Sequence, residues 1–339
     1  MKRNMMEWVD NILAEKEKKG FLVLSFPAIQ KMGITVKELI ASSDLQAQAM
    51  KIVAESTPDA AASVSMMDLS LEAEAFGSSV HFSDDEVPTV TGSIVNSEED
   101  ADALQVPEIG AGRTQIYVDA IEKAVKLIED RPVFAGVIGP FSLAGRLMDV
   151  SEAMIYCYDE PDMVHTVLEK VTEFIIKYIN AYKAVGANGV LVAEPLAGLL
   201  SPALEEEFSC EYMKKIVEAT QTDDFLVCYH NCGNCTVQQI ASIAQNGCRV
   251  LHFGNAIDMA EMLPKVPENI IAMGNIDPAG QFRNGTPESV KAETMKLMEK
   301  CASYPNFVPS SGCDIPPLSS WDNIMAFFDA IKEFYGSVK

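Results

Sequence analysis

No apolar run in this 339-residue sequence approaches the ~18 residues that a membrane-spanning helix needs. The N-terminal stretch "MKRNMMEWVDNILAEKEKKG" is charged and helical in pattern, without the apolar core and cleavage site of a secretory signal. Positive charge is scarce as well. Lys and Arg number 26 against 49 Asp and Glu, a formal net charge of −23. That sign repels phosphate backbones and anionic lipid, which argues against nucleic-acid and membrane-surface partners. The expected setting is the cytoplasm, where thiols stay reduced and cysteines beside histidine read as ligands or nucleophiles rather than disulfides. Nor is there a P-loop, a dinucleotide fingerprint, a convincing internal repeat or a low-complexity linker. A chain of this length suits one large α/β barrel as well as two smaller domains; with no linker to divide it, residues 1–339 read as one unit.

What is present is alternation. Apolar runs rich in β-branched residues stand at 21–26 ("FLVLSF"), 60–70, 133–140, 189–195, 225–230, 249–254, 270–275 and 307–311 ("FVPSS"). Amphipathic helical patterns separate most of them, such as "QIYVDAIEKAVKLIED" at 115–130 and the long stretch 162–186. Strands alternating with helices imply βαβ units and a parallel sheet, and eight such strands suggest a closed (β/α)₈ barrel. Residues 76–111 are polar, acidic and irregular in pattern, and read as a long loop over the barrel mouth after the second strand.

In such barrels reactive groups gather at the C-terminal ends of strands. "FLVCYHNCGNC" (225–235) places His230 at the end of the fifth strand and Cys232 two residues on, on the same side if the extended geometry persists. Glu194 closes the fourth strand and Cys313 follows the eighth, so residues distant in sequence converge on one mouth. Catalytic zinc uses three protein ligands and one open position, a set that His230, Cys232 and Cys313 would supply. Spacing alone leaves alternatives open. Cys235 competes as a ligand, "CGNC" is a C-x-x-C of redox type, and a buried strand with ordinary thiols is the plain reading. Glu194 reads as a fourth ligand, a proton acceptor or a partner for a helix terminus, with a functional role favoured.

Other candidates have duller readings. Cys228 is a core residue of the strand, and Cys157, Cys210, Cys248 and Cys301 pack in or beside helices. His165 is structural, His81 is solvated in the acidic loop, and His252 points into the barrel with no second ligand beside it. Glu72 and Glu74 are surface helix charges unless they line the mouth. "EEE" at 205–207 is a solvated helix start.

Four collinear blocks carry a resemblance: "GVIGPFSLAGRLM", "EPLAGLLSPALEEEF", "MGNIDPAGQFRNGTPESVKAET" and "SSGCDIPPLSSWDNIMAFFDAI". Over nearly its whole length the chain resembles the uroporphyrinogen decarboxylase superfamily, which implies a distorted (β/α)₈ barrel with an N-terminal helical extension. The decarboxylase branch carries an arginine-rich "MRQAGRYLPEY"-type block near its N-terminus, to pair with substrate carboxylates. Here that region reads "VLSFPAIQKMGITVKEL" and lacks it. "LEAEAFG" and H-x-C with a distant cysteine resemble instead the branch of methylcobalamin:coenzyme M and related corrinoid methyltransferases. Carried over by position, that branch's zinc ligands fall on His230, Cys232 and Cys313, with Cys235 a departure from the pattern. The resemblance implies zinc-dependent transfer of methyl from methylcobalamin, held by a partner corrinoid protein, to a thiol such as coenzyme M. The rival expectations are a metal-independent decarboxylase or lyase of a polycarboxylate and a non-catalytic corrinoid- or metal-binding protein.

Overall fold

The computed structural model describes residues 3–337. Among the described residues nine strands follow in chain order: β1 (Ser63–Val64), β2 (Ser79–His81), β3 (Thr89–Thr91), β4 (Val133–Ile138), β5 (Gly189–Ala193), β6 (Leu226–Asn231), β7 (Val250–Phe253), β8 (Ile271–Ile276) and β9 (Phe307–Ser311). Seven of them form one parallel sheet in the order β1-β4-β5-β6-β7-β8-β9, and helices connect them along its outer side. Their near-continuous burial is what a sheet packed on both faces requires. The curled sheet and its helices make the expected distorted (β/α)₈ barrel.

Two expected strands depart from regularity, and there the barrel closes. Residues 21–26 form no ladder, yet they lie extended between β9 and β1. The Phe21 amide donates to the Pro309 carbonyl at 2.9 Å, and the Ala61 amide to the Gly20 carbonyl at 2.9 Å. The Val23 amide donates to Ser311 Oγ at 3.3 Å, and Ser25 Oγ to the Val64 carbonyl at 2.5 Å. Pro309 has no N–H to offer, and serine hydroxyls take over bonds a ladder would make from backbone. The run at 60–70 keeps only two ladder residues before it turns away.

Alternation along the strands sends one set of side chains inward. Phe21, Val64, Phe134, Leu191, Cys228, Ile271 and Met273 fill the barrel interior together with Met5, Val9 and Ile12 of the helix Met5–Ala14. This N-terminal helix packs where the strands begin, with Trp8 5.9 Å from Phe134 and 6.3 Å from Phe21 between ring centroids. The floor is therefore sealed by apolar side chains, and access is left to the opposite, C-terminal mouth.

The insertion after β1 is more ordered than its composition suggested. It holds the antiparallel hairpin β2–β3 and the helix Glu98–Ala103. Arg113 ties its far end back to its start. Its guanidinium donates to Asp68 Oδ2 at 2.6 Å, to Glu74 Oε2 at 2.7 Å and to Ser70 Oγ at 3.1 Å, while Tyr117 Oη donates to Asp68 Oδ2 at 2.7 Å. Among the described residues no helix is long and apolar enough to cross a membrane.

Candidate metal centre

β6 alternates as its sequence implied. Cys228 faces the barrel interior, Tyr229 packs outward into the helical layer, and His230 faces inward again. Asn231 ends the strand and builds the turn that follows. Its Oδ1 accepts from the Gly233 amide at 2.9 Å and Thr236 Oγ1 at 3.1 Å, while its Nδ2 donates to Tyr229 Oη at 2.9 Å. Gly198 and Gly233 cross so closely that a Cβ on either would sit about 2.5 Å from the other's backbone. The turn therefore has one way to present Cys232.

Cys313 enters from the loop after β9. His230, Cys232 and Cys313 offer ligand atoms that all lie within 4.8 Å of one another, and among the described residues they are the one group of three or more His, Cys, Asp or Glu so placed. Cys235 is not in the group; it begins the helix Thr236–Ile243. The eight cysteines divide accordingly. Cys157, Cys210, Cys228, Cys248 and Cys301 are buried, whereas Cys232, Cys235 and Cys313 are only half-buried.

The chemistry of the group fits a soft dication. His230 is 3% exposed, and neither of its ring nitrogens has a hydrogen-bond partner. A buried imidazole without a partner is costly, so both nitrogens point to an unmet demand. The Cys313 thiol donates toward Cys232, and this bond, with His230 alongside, holds the Cys232 thiol well below the usual range. Cys313 is pushed up because its loss of a proton would place two thiolates side by side. A cation held by these residues would relieve that conflict by taking the place of the shared proton. His252 stands behind His230, with ring centroids 4.6 Å apart, and its Nε2 donates to the Ser311 carbonyl at 2.6 Å. Burial first, and then His230, push its pKa well below the ordinary value, so it serves as a neutral wall and not as a ligand.

The group sits in a cavity of about 380 Å³ at the mouth. Its wall is largely apolar, with Phe26, Met67, Leu191 and Ile315 among the contributors, and the hairpin loop covers one side through Val87 and Pro88. Polar side chains on the wall include Glu86, Asp314 and Arg146. Asp314, overlooked in the sequence, accepts from the Met67 amide at 3.2 Å through Oδ2, and its buried Oδ1 has no partner.

Glu194 takes another part. Ala193 and Pro195 line the cavity, but the Glu194 side chain turns away into full burial. Its Oε2 accepts from the Phe141 amide at 3.0 Å and its Oε1 from the Ser142 amide at 2.6 Å, at the start of the helix Pro140–Met148. Of the three readings of Glu194, these bonds match the partner for a helix terminus, since both oxygens accept from amides that the helix itself leaves unpaired. Burial pushes its pKa up to about 7 against the lowering effect of those bonds.

Two further carboxylates correct the surface reading. Glu205, expected in solvent, is buried and accepts from Ser242 Oγ. Glu72 is buried with Oε1 accepting from the Ile138 amide at 3.1 Å and Oε2 unpartnered, and burial raises its pKa to about 8. The folded chain keeps this proton between the unfolded value of 4.5 and about 8, where the unfolded chain has released it. Stability therefore falls as pH rises through that window, at up to about 1.4 kcal/mol per pH unit for one group. Glu72→Gln mimics the protonated form and is expected to flatten this part of the slope. Urea midpoints at pH 5, 6.5 and 8.5 check it: an unchanged slope refutes the assignment.

Gly254 gives a sharper test of the site's geometry. A Cβ there would lie 2.4 Å from Cys232 Cβ and 2.5 Å from its Cα. Gly254→Ala is expected to cost about 1–3 kcal/mol of stability by overpacking and, by displacing Cys232, to lower the affinity of the group for a soft dication such as zinc by about 10-fold or more. Competitive titration with a chromophoric chelator measures it, and wild-type affinity in the variant contradicts the placement.

A sealed parallel barrel whose soft donors and open cavity share the C-terminal mouth has the architecture of the barrel enzymes, whose active sites lie at that face. The family model described as Uroporphyrinogen decarboxylase (URO-D) matches residues 23–334, and the chain belongs to that family. It is 29% identical over 276 residues to the methylcobamide:CoM methyltransferase MtbA of Methanosarcina mazei, covering 79% of this chain and 78% of that protein. It is also 26% identical over 285 residues to the uroporphyrinogen decarboxylase of Coxiella burnetii, covering 80% and 77%. Among solved structures, a methyltransferase from Methanosarcina mazei superposes with a TM-score of 0.86 at 22% identity over 98% of both chains. A B12-independent methionine synthase from Shewanella sp. W3-18-1 superposes at 0.64 with 11% identity, over 95% of this chain and 96% of that one. At such identities the structural likeness speaks for the fold.

Proposed function

We propose that the chain is a zinc-dependent methyltransferase that accepts a methyl group from a methylated corrinoid, carried by a partner protein, and passes it to a thiol, with coenzyme M the foremost candidate. The observation that carries this reading is the convergence of His230, Cys232 and Cys313 in the mouth cavity, with both His230 nitrogens unpartnered. Similarity to a methylcobamide:CoM methyltransferase supports the same substrates. The uroporphyrinogen decarboxylase relatives support the shared family but not their reaction here, since the arginine-rich block is missing and, among the described residues, Arg146 is the cavity's one Lys or Arg.

His230, Cys232 and Cys313 would hold the zinc, which supplies Lewis acidity that lets an acceptor thiol lose its proton near neutral pH. The chain's own residues do the rest. Two cysteinates bring negative charge to the centre, so the acceptor sulfur retains its nucleophilicity. The apolar wall from Phe26, Met67 and Leu191 excludes water from that sulfur. The rigid turn at Asn231–Gly233 and the sealed floor fix the direction of approach toward the open mouth, where a corrinoid on a partner would present its methyl group. The acceptor sulfur then forms a bond to the methyl carbon, and the carbon–cobalt bond breaks with its electron pair left on cobalt.

Purification without chelator, metal analysis and a thiol panel with methylcobalamin test this reading. About one zinc per chain and thiol-dependent loss of the corrinoid's methyl signal are the expected results. A chain with no stoichiometric metal that decarboxylates a polycarboxylate would refute it. Metal or corrinoid binding without turnover would make it a binding protein instead.

A further inference from the structure

On the cavity wall stands one cationic side chain that no hydrogen bond or ion pair answers among the described residues. Arg146 lies in the last turn of the helix Pro140–Met148 and is half-buried on the cavity wall that His230, Cys232 and Cys313 share. A guanidinium carries five donors and stays charged under all ordinary conditions. Within the described residues Arg3, Arg113, Arg131 and Arg249 all donate hydrogen bonds. Arg283 is exposed, where water serves it. Arg146 is the half-buried arginine with neither a hydrogen bond nor an ion pair. Glu86 and Asp314 line the same cavity, yet neither reaches ion-pairing distance, and burial alone accounts for the disfavouring of its charge.

Its position is fixed from both ends of its helix. Glu194 holds the helix start through the Phe141 and Ser142 amides, and the Leu147 carbonyl accepts from the Ile94 and Val95 amides at 2.8 and 3.0 Å, strapping the insertion to the helix beside Arg146. A partly desolvated cation held on a rigid element, without a protein counter-charge, is costly unless a ligand supplies the anion. One guanidinium offers a two-pronged match to two oxygens of a single carboxylate or sulfonate. It does not suit a polycarboxylate, which would bring several charges into a wall that is otherwise apolar and acidic.

We propose that Arg146 binds the anionic head group of the thiol acceptor and selects thiols bearing one carboxylate or sulfonate over neutral thiols. This rests on the thiol-methyltransferase reading above, and the test separates the two. Methyl thioethers, the products of the reaction, are used as non-reacting probes: 2-(methylthio)ethanesulfonate, 3-(methylthio)propionate and the neutral 2-(methylthio)ethanol. Calorimetric titration of the wild-type, zinc-loaded chain is expected to show the anionic probes binding about 10- to 100-fold more tightly than the neutral one, the range for hydrogen bonds to charged groups. The sulfonate and the carboxylate arms decide which oxyanion is preferred. Arg146→Met is expected to bring the ratio of anionic to neutral affinity close to one, and Arg146→Lys to restore part of it. Because the readout is a ratio within one variant, partial unfolding does not imitate the result. The ratio of kcat/KM for the matching thiols with free methylcobalamin should fall in parallel.

An anion preference that survives in Arg146→Met, or its absence from the wild type, overturns the proposal. A wild-type chain that removes methyl from methylcobalamin with none of the thiols refutes the methyltransferase reading, and the binding ratio alone then decides on Arg146.

Discussion

Cys232→Ala and Cys313→Ala are each expected to lose nearly all bound zinc and thiol-dependent demethylation, whereas Cys235→Ala keeps both. The contrast follows from geometry. Cys232 and Cys313 belong to the group whose ligand atoms lie within 4.8 Å of one another, and Cys235 does not. Removing one thiolate from a three-ligand site leaves two donors, too few to hold a catalytic zinc against solvent. The loss in rate should exceed ~10³-fold, because the nucleophile loses both its activation and its position. Folding should change little. Cys232 and Cys313 are half-buried, and each replacement also removes half of a pair that competes for one proton. Thermal denaturation beside metal analysis separates site loss from unfolding. If Cys235→Ala empties the site while Cys232→Ala stays loaded, the ligand set proposed here is wrong.

This contrast also shows where the sequence was readable. Parallel strands bury both faces, so β4 to β9 stand out as apolar runs, and a period of two brings Cys228 and His230 to the same side. From there the C-terminal rule of barrels brings Cys313 to the same mouth. Residues 21–26 look like their neighbours in composition but form no ladder, because the partner strand contains Pro309 and serine side chains make part of the hydrogen bonding. Nothing local to "FLVLSF" records that. The hairpin β2–β3 was hidden for a related reason. Its strands are exposed or half-buried, so they lack the apolar signature, and the ion pairs from Arg113 to Asp68 and Glu74 link residues far apart in sequence. Glu72 and Glu205 were misread toward solvent, and the readings of Glu194 stayed open, since a carboxylate carries no mark of burial. Only the amide or hydroxyl it meets, brought from another element, reveals its role. Arg146 escaped notice because an unpaired charge is a property of its surroundings.

Glu194→Ala is expected to destabilise the fold by about 3–5 kcal/mol, the largest stability effect anticipated for a single polar side chain here. It strips the Phe141 and Ser142 amides of their acceptors inside a region closed to water, at about 1–3 kcal/mol for each orphaned group, and leaves a cavity. Glu194→Gln keeps one acceptor oxygen but sets an NH₂ against the other amide, so a loss of about 1–3 kcal/mol is expected. The pH response supplies a second signature. The folded pKa, about 7, lies above the unfolded 4.5, so the wild type is favoured at low pH and loses stability as pH rises through that window. The glutamine variant has no proton to lose and should show a shallower decline, which makes its deficit largest near pH 5 and smaller at pH 8. Catalysis is affected only through the helix that carries Arg146. Well below the melting temperature, the glutamine variant should bind zinc normally and show a raised KM for the thiol with a smaller change in kcat. Urea unfolding at the two pH values, together with steady-state kinetics at a temperature where the variant is folded, checks both halves. A variant as stable as wild type but with kcat reduced 100-fold or more would return Glu194 to the reacting centre.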